Sequence, residues 1–322
     1  MIRLLAVFAT LLAATAASAP GRPPVAFPRD HYGHARSDIE WWYFTAFVHD
    51  ASGTPYSVFF TLFASRGSLI PVSQVVNLST GAVVGHTEGL AGGQPGARSL
   101  DVKTAGTRLR YQPKSNRWFF SAAAPAFAVS LVQHPLKPYA LHGRRGLIDQ
   151  SAAGTSHYYS STRMNAAGML RVGTATMAIH GQSWFDHQWG NYRDDPRAFN
   201  WDWFSCRFDD DTELMLYQFL DPATGQPLAA FRSGTYVDAA GQTFRVRTSN
   251  AIAGTPSLKD SGHTWPLDWT LDVTSPSLTE TLTSLLPDEL VRNTVLPTFW
   301  EGPATATGTK PGSCFVEISY RE

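Results

Sequence analysis

The residues best suited to chemistry fall in one octapeptide, Ser183-Trp184-Phe185-Asp186-His187-Gln188-Trp189-Gly190, where two tryptophans and a phenylalanine surround an acid, an imidazole and an amide. A carboxyl among aromatic rings loses hydration, so its neutral form is favoured. Asp186 is therefore expected to donate a proton near neutral pH, with His187 and Gln188 orienting it. The competing reading is structural, with these three side chains satisfying buried backbone groups where the chain crosses between two halves. Asp202 is the second candidate, because strand alternation places it on the face of Phe204, Cys206 and Phe208, where an acid wants an explanation. Glu40 stands likewise on the face of Trp42 and Phe44. Both acids open a strand, where a solvated end or a pairing with Arg36 or Arg197 also accounts for them. The rings of Trp184, Trp189, Trp201, Trp203, Trp42 and Tyr159 are the expected walls of an apolar pocket.

Other chemistries are excluded. Ser183 lacks the second glycine of a nucleophile elbow, and no phosphate loop or dinucleotide fingerprint is present. His31 and His34 form an isolated His-x-x-His with no further ligand spacing, so neither a metal nor a cofactor is expected. The 26 basic residues balance the 26 acidic ones, which argues against a nucleic-acid partner. Aromatic residues make up 12% of the chain, too much ring area for a disordered chain to leave exposed.

The elements that must position these residues read as strands. Glu40 to Asp50 aligns with Asn200 to Asp210 at a constant offset of 160, matching Trp41 to Trp201, Phe44 to Phe204 and Asp50 to Asp210. Each segment runs into a polar turn and a second apolar stretch, which predicts two equivalent hairpins in two similar halves. Further short strands are expected throughout, among them Tyr158 to Met164, Leu170 to Ile179, Leu278 to Leu282 and Cys314 to Tyr320. Gly and Pro, 26 and 21 of them, are scattered between these segments, as suits an all-β fold. Residues 1–19 combine Arg3, an apolar stretch from Leu4 to Ala14 and Ala17-Ser18-Ala19, the pattern of a secretory signal peptide. The expected organisation is that leader, an N-terminal domain over 20–190 and a C-terminal domain over 191–322, in an exported, periplasmic or secreted protein.

Four ordered motifs carry a family resemblance: His31 to Phe44 with its Glu-Trp-Trp-Tyr core, Tyr158-Tyr159-Ser160-Ser161-Thr162-Arg163, Ser183 to Gly190, and Phe299-Trp300-Glu301-Gly302. Together they resemble the AttH-like and hydroxyneurosporene synthase (carotenoid 1,2-hydratase) lipocalin family across nearly the whole mature chain. The resemblance implies two consecutive lipocalin-like β-barrel domains and relatives that hydrate acyclic carotenoid ends or cyclise polyenes. It also implies a secreted branch often encoded beside ABC-type transport components, which are the expected protein partners. The chain departs from the usual Gly-x-Gly-Tyr signature with Gly312-Ser313-Cys314-Phe315, so carotenoid as substrate does not follow. In a closed barrel the first and last strands pair, which would set Cys206 beside Cys314; a bridge requires Cα atoms within about 7 Å. Alternatively Cys206 packs as a small apolar residue beside Phe204 and Phe208.

Two functions are consistent with these features. In the first, an acid protonates an electron-rich alkene of an apolar isoprenoid, polyene or lipid, and water or a second alkene captures the cation. In the second, a noncatalytic periplasmic carrier holds such a ligand in an apolar cavity. The orientation of Asp186, toward a cavity or toward the junction of the halves, separates them.

Overall fold

The computed structural model describes residues 25–319 apart from residues 105, 150–153, 193–199, 222, 223, 225, 247, 248, 255, 256 and 261. Apart from one short 3-10 turn at Arg29–His31, the regular elements among the described residues are strands, arranged in two large curled antiparallel sheets and a two-stranded ribbon. Frequent β-branched and aromatic residues, punctuated by turn-forming glycines, account for this. In the first sheet Ile39–Asp50 pairs on one side with Pro55–Ser65, its hairpin neighbour, and on the other with Ala175–Tyr192, the sheet's last strand in sequence. In the second, Asn200–Phe208 pairs with Glu213–Leu220 and with the last strand, Gly312–Ser319. The two aromatic hairpins thus hold equivalent places, each beside the end of its own sheet.

The first sheet curls until its edge strand Ala82–Glu88 meets Arg117–Ala124 and Phe127–Pro135. Gly85 permits the approach, since a Cβ there would lie 2.2 Å from the Phe127 ring. The interior is filled by the chain's own rings. Phe60 stacks on Phe120 at 4.7 Å between centroids, Phe44 on Phe185 at 4.5 Å, and Trp118 leans on Phe185 at 4.2 Å. Trp269 and Trp300 do the same inside the second sheet.

Cys206 and Cys314 lie directly opposite each other on the first and last strands of that second sheet and are joined by a disulfide. The expected single strand Leu170 to Ile179 is instead a tight hairpin. Gly173, at φ 58°, turns the chain between Gly154–Val172 and Ala175–Tyr192, and only a residue tolerant of the left-handed region suits that place.

Two local features aim the functional side chains. Along Ala175–Tyr192 the pleat sends Phe185, His187 and Trp189 toward the interior of the first sheet, while Trp184 and Asp186 face the second sheet. Gly154–Val172 carries a bulge: Ser161 opposes Phe185, but Met164 opposes Ser183, so one extra residue is accommodated. Before the bulge Tyr159 points inward; after it Met164, Ala166 and Leu170 do. The switch turns Arg163 outward, where its Nε meets Glu213 of the second sheet at 2.7 Å.

Between the sheets lies a third buried cluster, including Tyr43, Phe59, Trp184, Trp203, Met215 and Phe315. Each of these large side chains contributes roughly 1.5–3 kcal/mol of hydrophobic stabilisation on burial.

Candidate functional site

Carboxyl groups gather in this seam. Glu301 and Glu317 are directly opposed on adjacent antiparallel strands, Phe299–Gly308 and Gly312–Ser319, a geometry that brings the two carboxyls into contact. Tyr43 reaches across from the first sheet and donates its hydroxyl proton to Glu301 Oε1, and Trp201 Nε1 donates to Glu317 Oε1 at 2.6 Å. Directly opposite Tyr43 in the first sheet stands Asp186, 3% exposed. Its Oδ1 accepts from Ser160 Oγ and, at 2.7 Å, from Trp184 Nε1. Tyr158, which accepts from Trp203 Nε1 at 3.0 Å, also bonds to Asp186.

Burial sets the proton affinities. It pushes Asp186 up to about 7, against the opposing pull of Ser160, Trp184 and Tyr158 and with help from the nearby Glu317 charge. Burial also raises Glu301 well above the carboxylate range, reinforced by Glu317, while the Tyr43 hydrogen bond opposes. Glu317 rises for the same first reason and is held back by Trp201 and by its bond to Glu301. Two carboxyls this close share a proton more readily than both ionise. Glu301 Oε2 itself is buried without a hydrogen-bond partner among the described residues.

A directional chain leads to this set from the second sheet. His142 is wholly buried, and desolvation lowers it to about 3, so the ring is neutral. Its Nδ1 lies 2.8 Å from Thr235 Oγ1 and its Nε2 2.6 Å from Ser160 Oγ. Because Ser160 donates to Asp186, the ring must donate through Nε2 and accept from Thr235. The arrangement can hold protons among buried aromatic side chains at neutral pH and links the two sheets by hydrogen bonds.

The pleat divides the residues singled out from the sequence. Asp186, Trp184, Trp201 and Trp203 meet in the seam, and Gln188, on the strand face of Asp186, donates to Ser156 Oγ at 2.8 Å. His187, Trp189, Trp42 and Tyr159 lie instead within the first sheet, so His187 cannot orient Asp186, its chain neighbour. Asp202 faces the interior of the second sheet, raised by burial to about 6 and bonded to Gln218 Nε2 at 2.8 Å, away from the seam.

Glu40 does not pair with Arg36, and Arg197 lies outside the described residues. Glu40 Oε1 meets His34 Nδ1 at 2.6 Å and His187 Nε2 at 2.8 Å, because the inward face carries both rings to it. These three residues bring two ring nitrogens and a carboxylate oxygen within 4.8 Å of one another, a ligand set that suits a divalent transition metal. His31 takes no part and instead contacts Tyr159 OH at 2.6 Å.

The sequence reading missed Glu301 and Glu317 as site residues, although Glu301 lies in a quoted motif and Glu317 in the expected strand Cys314 to Tyr320. The available signal was an acid embedded in an aromatic or aliphatic strand, Phe299-Trp300-Glu301 and Phe315-Val316-Glu317-Ile318.

A family model described as AttH-like matches residues 18–320. Among solved structures, a protein described as an AttH from Nitrosomonas europaea superposes with a TM-score of 0.82 at 22% identity, covering 94% of this chain and 98% of its own. Kievitone hydratase from Nectria haematococca gives 0.78 at 19% identity over 92% and 94% of the two chains. CghA with bound Sch210972 gives 0.55 at 12% identity over 88% and 89%. These likenesses establish the shared fold. A comparison with curated proteins finds no significant match.

Proposed function

The chain belongs to the AttH-like family, and from that premise we propose that it is an acid-initiated hydratase of an apolar alkene, such as an isoprenoid, polyene or lipid, working at the seam between its two sheets. Asp186 faces the junction of the sheets, the orientation that by itself favours a carrier; one observation carries the hydratase reading instead, that the acids gathered there, Asp186, Glu301 and Glu317, are buried around Tyr43 among aromatic rings with their proton affinities raised. A fold shared with a protein named a hydratase supports it.

The proton moves from the carboxyl set to the less substituted alkene carbon, the π pair forming the new C–H bond and leaving a tertiary cation. Faces of Trp184, Trp201 and Trp203 stabilise that cation by roughly 0.5–2 kcal/mol each. Water forms the C–O bond, and the proton it sheds returns to the carboxylate, so the net change is the addition of one water. Coupled carboxyls titrate as a unit, so the set supplies the proton together. Export through residues 1–19 belongs to the same proposal, and the Cys206–Cys314 bridge fits an oxidising compartment.

The test is to incubate the purified protein with a mixed pool of acyclic isoprenoids and unsaturated lipids in isotopically labelled water. The expected result is a product heavier by one labelled water molecule, formed by the parent and not by Glu301→Gln. A parent that yields no such product, or a variant that yields it equally, rejects the hydratase.

A further inference from the structure

At one end of the seam a cleft of about 360 Å³ opens between the sheets, lined by Phe47, Arg163, Gln182, Arg207 and Ser313, with Asp209 exposed at its mouth. The cations of this region are unequally served. Arg163 is fully engaged: Nε with Glu213 at 2.7 Å, Nη2 with the Phe208 carbonyl at 2.9 Å, and Nη1 with Gln182 Oε1 at 3.3 Å and Asp211 at 3.2 Å. Lys137 shares Glu213 at 2.9 Å. Glu213 is thus spent on two cations, and among the described residues the third, Arg207, makes no ion pair or hydrogen bond of its own, feeling Glu213 only at a distance.

Arg207 is 7% exposed, and its Nη1 is buried without a partner among the described residues. The guanidinium has only the face of Phe47, 5.3 Å from the ring centroid. Burial, and then the neighbouring Arg163 charge, lower its proton affinity to about 9, so it stays charged at neutral pH. A buried, unpaired guanidinium is costly, and a buried charge otherwise comes paired. Its planar fork matches a carboxylate or phosphate. Gln182, whose amide oxygen already serves Arg163, has its NH2 group left as a second donor in the same cleft.

We propose that Arg207 anchors an anion site in this cleft that receives the carboxylate or phosphate group of a ligand. The site stands independently of the hydratase reading, because it rests on a different group four residues further along the strand from Trp203, ~13 Å away at 3.3 Å per residue.

The test measures the melting temperature of the full chain against increasing inorganic phosphate, acetate and dodecanoate, with ionic strength held constant by chloride. The expected result is a saturable rise with at least one of these oxyanions, about 4–8 °C at a hundredfold excess over Kd, that is absent in Arg207→Met. Dodecanoate binding at least tenfold tighter than acetate identifies a head group carried on an apolar tail; equal affinities identify a small free anion; either supports the site. Without anion, Arg207→Met should melt at or above the parent temperature, since it deletes an unpaired charge. A parent indifferent to all three probes, an undiminished rise in Arg207→Met, or a variant strongly destabilised without anion overturns the proposal.

Discussion

Two groups of buried carboxyls lie on either side of the first sheet, and they differ in protonation. On the seam face, Asp186, Glu301 and Glu317 meet hydroxyls, indoles and one another, and burial drives all three toward the neutral form. On the inner face, Asp30 and Glu40 are equally hidden, yet both fall below the usual carboxylate range. For Asp30, burial is outweighed by His34, Arg29 and the Ala26 amide; for Glu40, it is outweighed by His187 and His34. Asp186 and His187 are adjacent in sequence, so depth cannot explain the difference. The partners do: Arg29 and His34, whose own proton affinity is raised, pull on the inner acids, and His187, kept toward its neutral form by burial, hydrogen-bonds Glu40; where the seam face lacks such partners the acid keeps its proton. Environments that push like groups apart are what assign acid and base roles.

Several substitutions should break or sharpen this contrast. The largest effect is expected from Glu301→Gln, which keeps shape and removes the proton. Turnover of the alkene substrate should fall by roughly 10² to 10⁴, read in single-turnover assays. Glu40→Gln should spare turnover and cost about 3 to 5 kcal/mol of stability in urea unfolding, because it strips two histidines of their shared carboxylate. Glu40 sits below its ordinary value of 4.5, so its stabilisation is present above that pH and is lost as pH falls through the depressed folded value. The deficit of Glu40→Gln should therefore shrink in acid.

Asp186→Asn should show the reverse sign. The parent's raised acid is stabilising below its ordinary value of 3.8, and that stability is lost as pH climbs through about 7. The mismatch left by Asn, about 1 to 3 kcal/mol, should thus weigh most near pH 4 and diminish toward pH 7. A parent–variant difference that is flat with pH contradicts a proton held on Asp186. The smallest effect is expected at Asp202, on the far side of its sheet. Since Asn can still accept from Gln218, Asp202→Asn should change stability by less than ~1 kcal/mol and leave turnover untouched.

Much of this was legible from residue order alone. The 160-residue offset between the aromatic hairpins became two equivalent places beside each sheet's closing strand. Aromatic surroundings correctly signalled an acid with raised proton affinity at Asp186. What failed was grouping by adjacency. Asp186 and His187 read as one unit, but a period of two sends them to different environments. The relation between Glu301 and Tyr43 spans 258 residues and two sheets, and no local pattern encodes it. The bulge at Ser161 to Met164 was equally hidden, since one extra residue in a long β-rich segment leaves no compositional trace. His34, Glu40 and His187 converge only through strand pairing, so an isolated His-x-x-His gave too little to find them.

The alternation along Ala175–Tyr192 also bears on how such a protein can change over generations. Codons for even positions such as 184 and 186 can be altered to retune the seam while those for 185, 187 and 189 go on specifying the inner wall, so two chemistries are heritable separately within six residues. Deletion of a single codon upstream in that strand is a different event. It would exchange the two faces at once, sending the imidazole to the acids and the carboxylate to the histidines. Lineages of this fold should accordingly tolerate point substitution across the octapeptide far better than any change in its length.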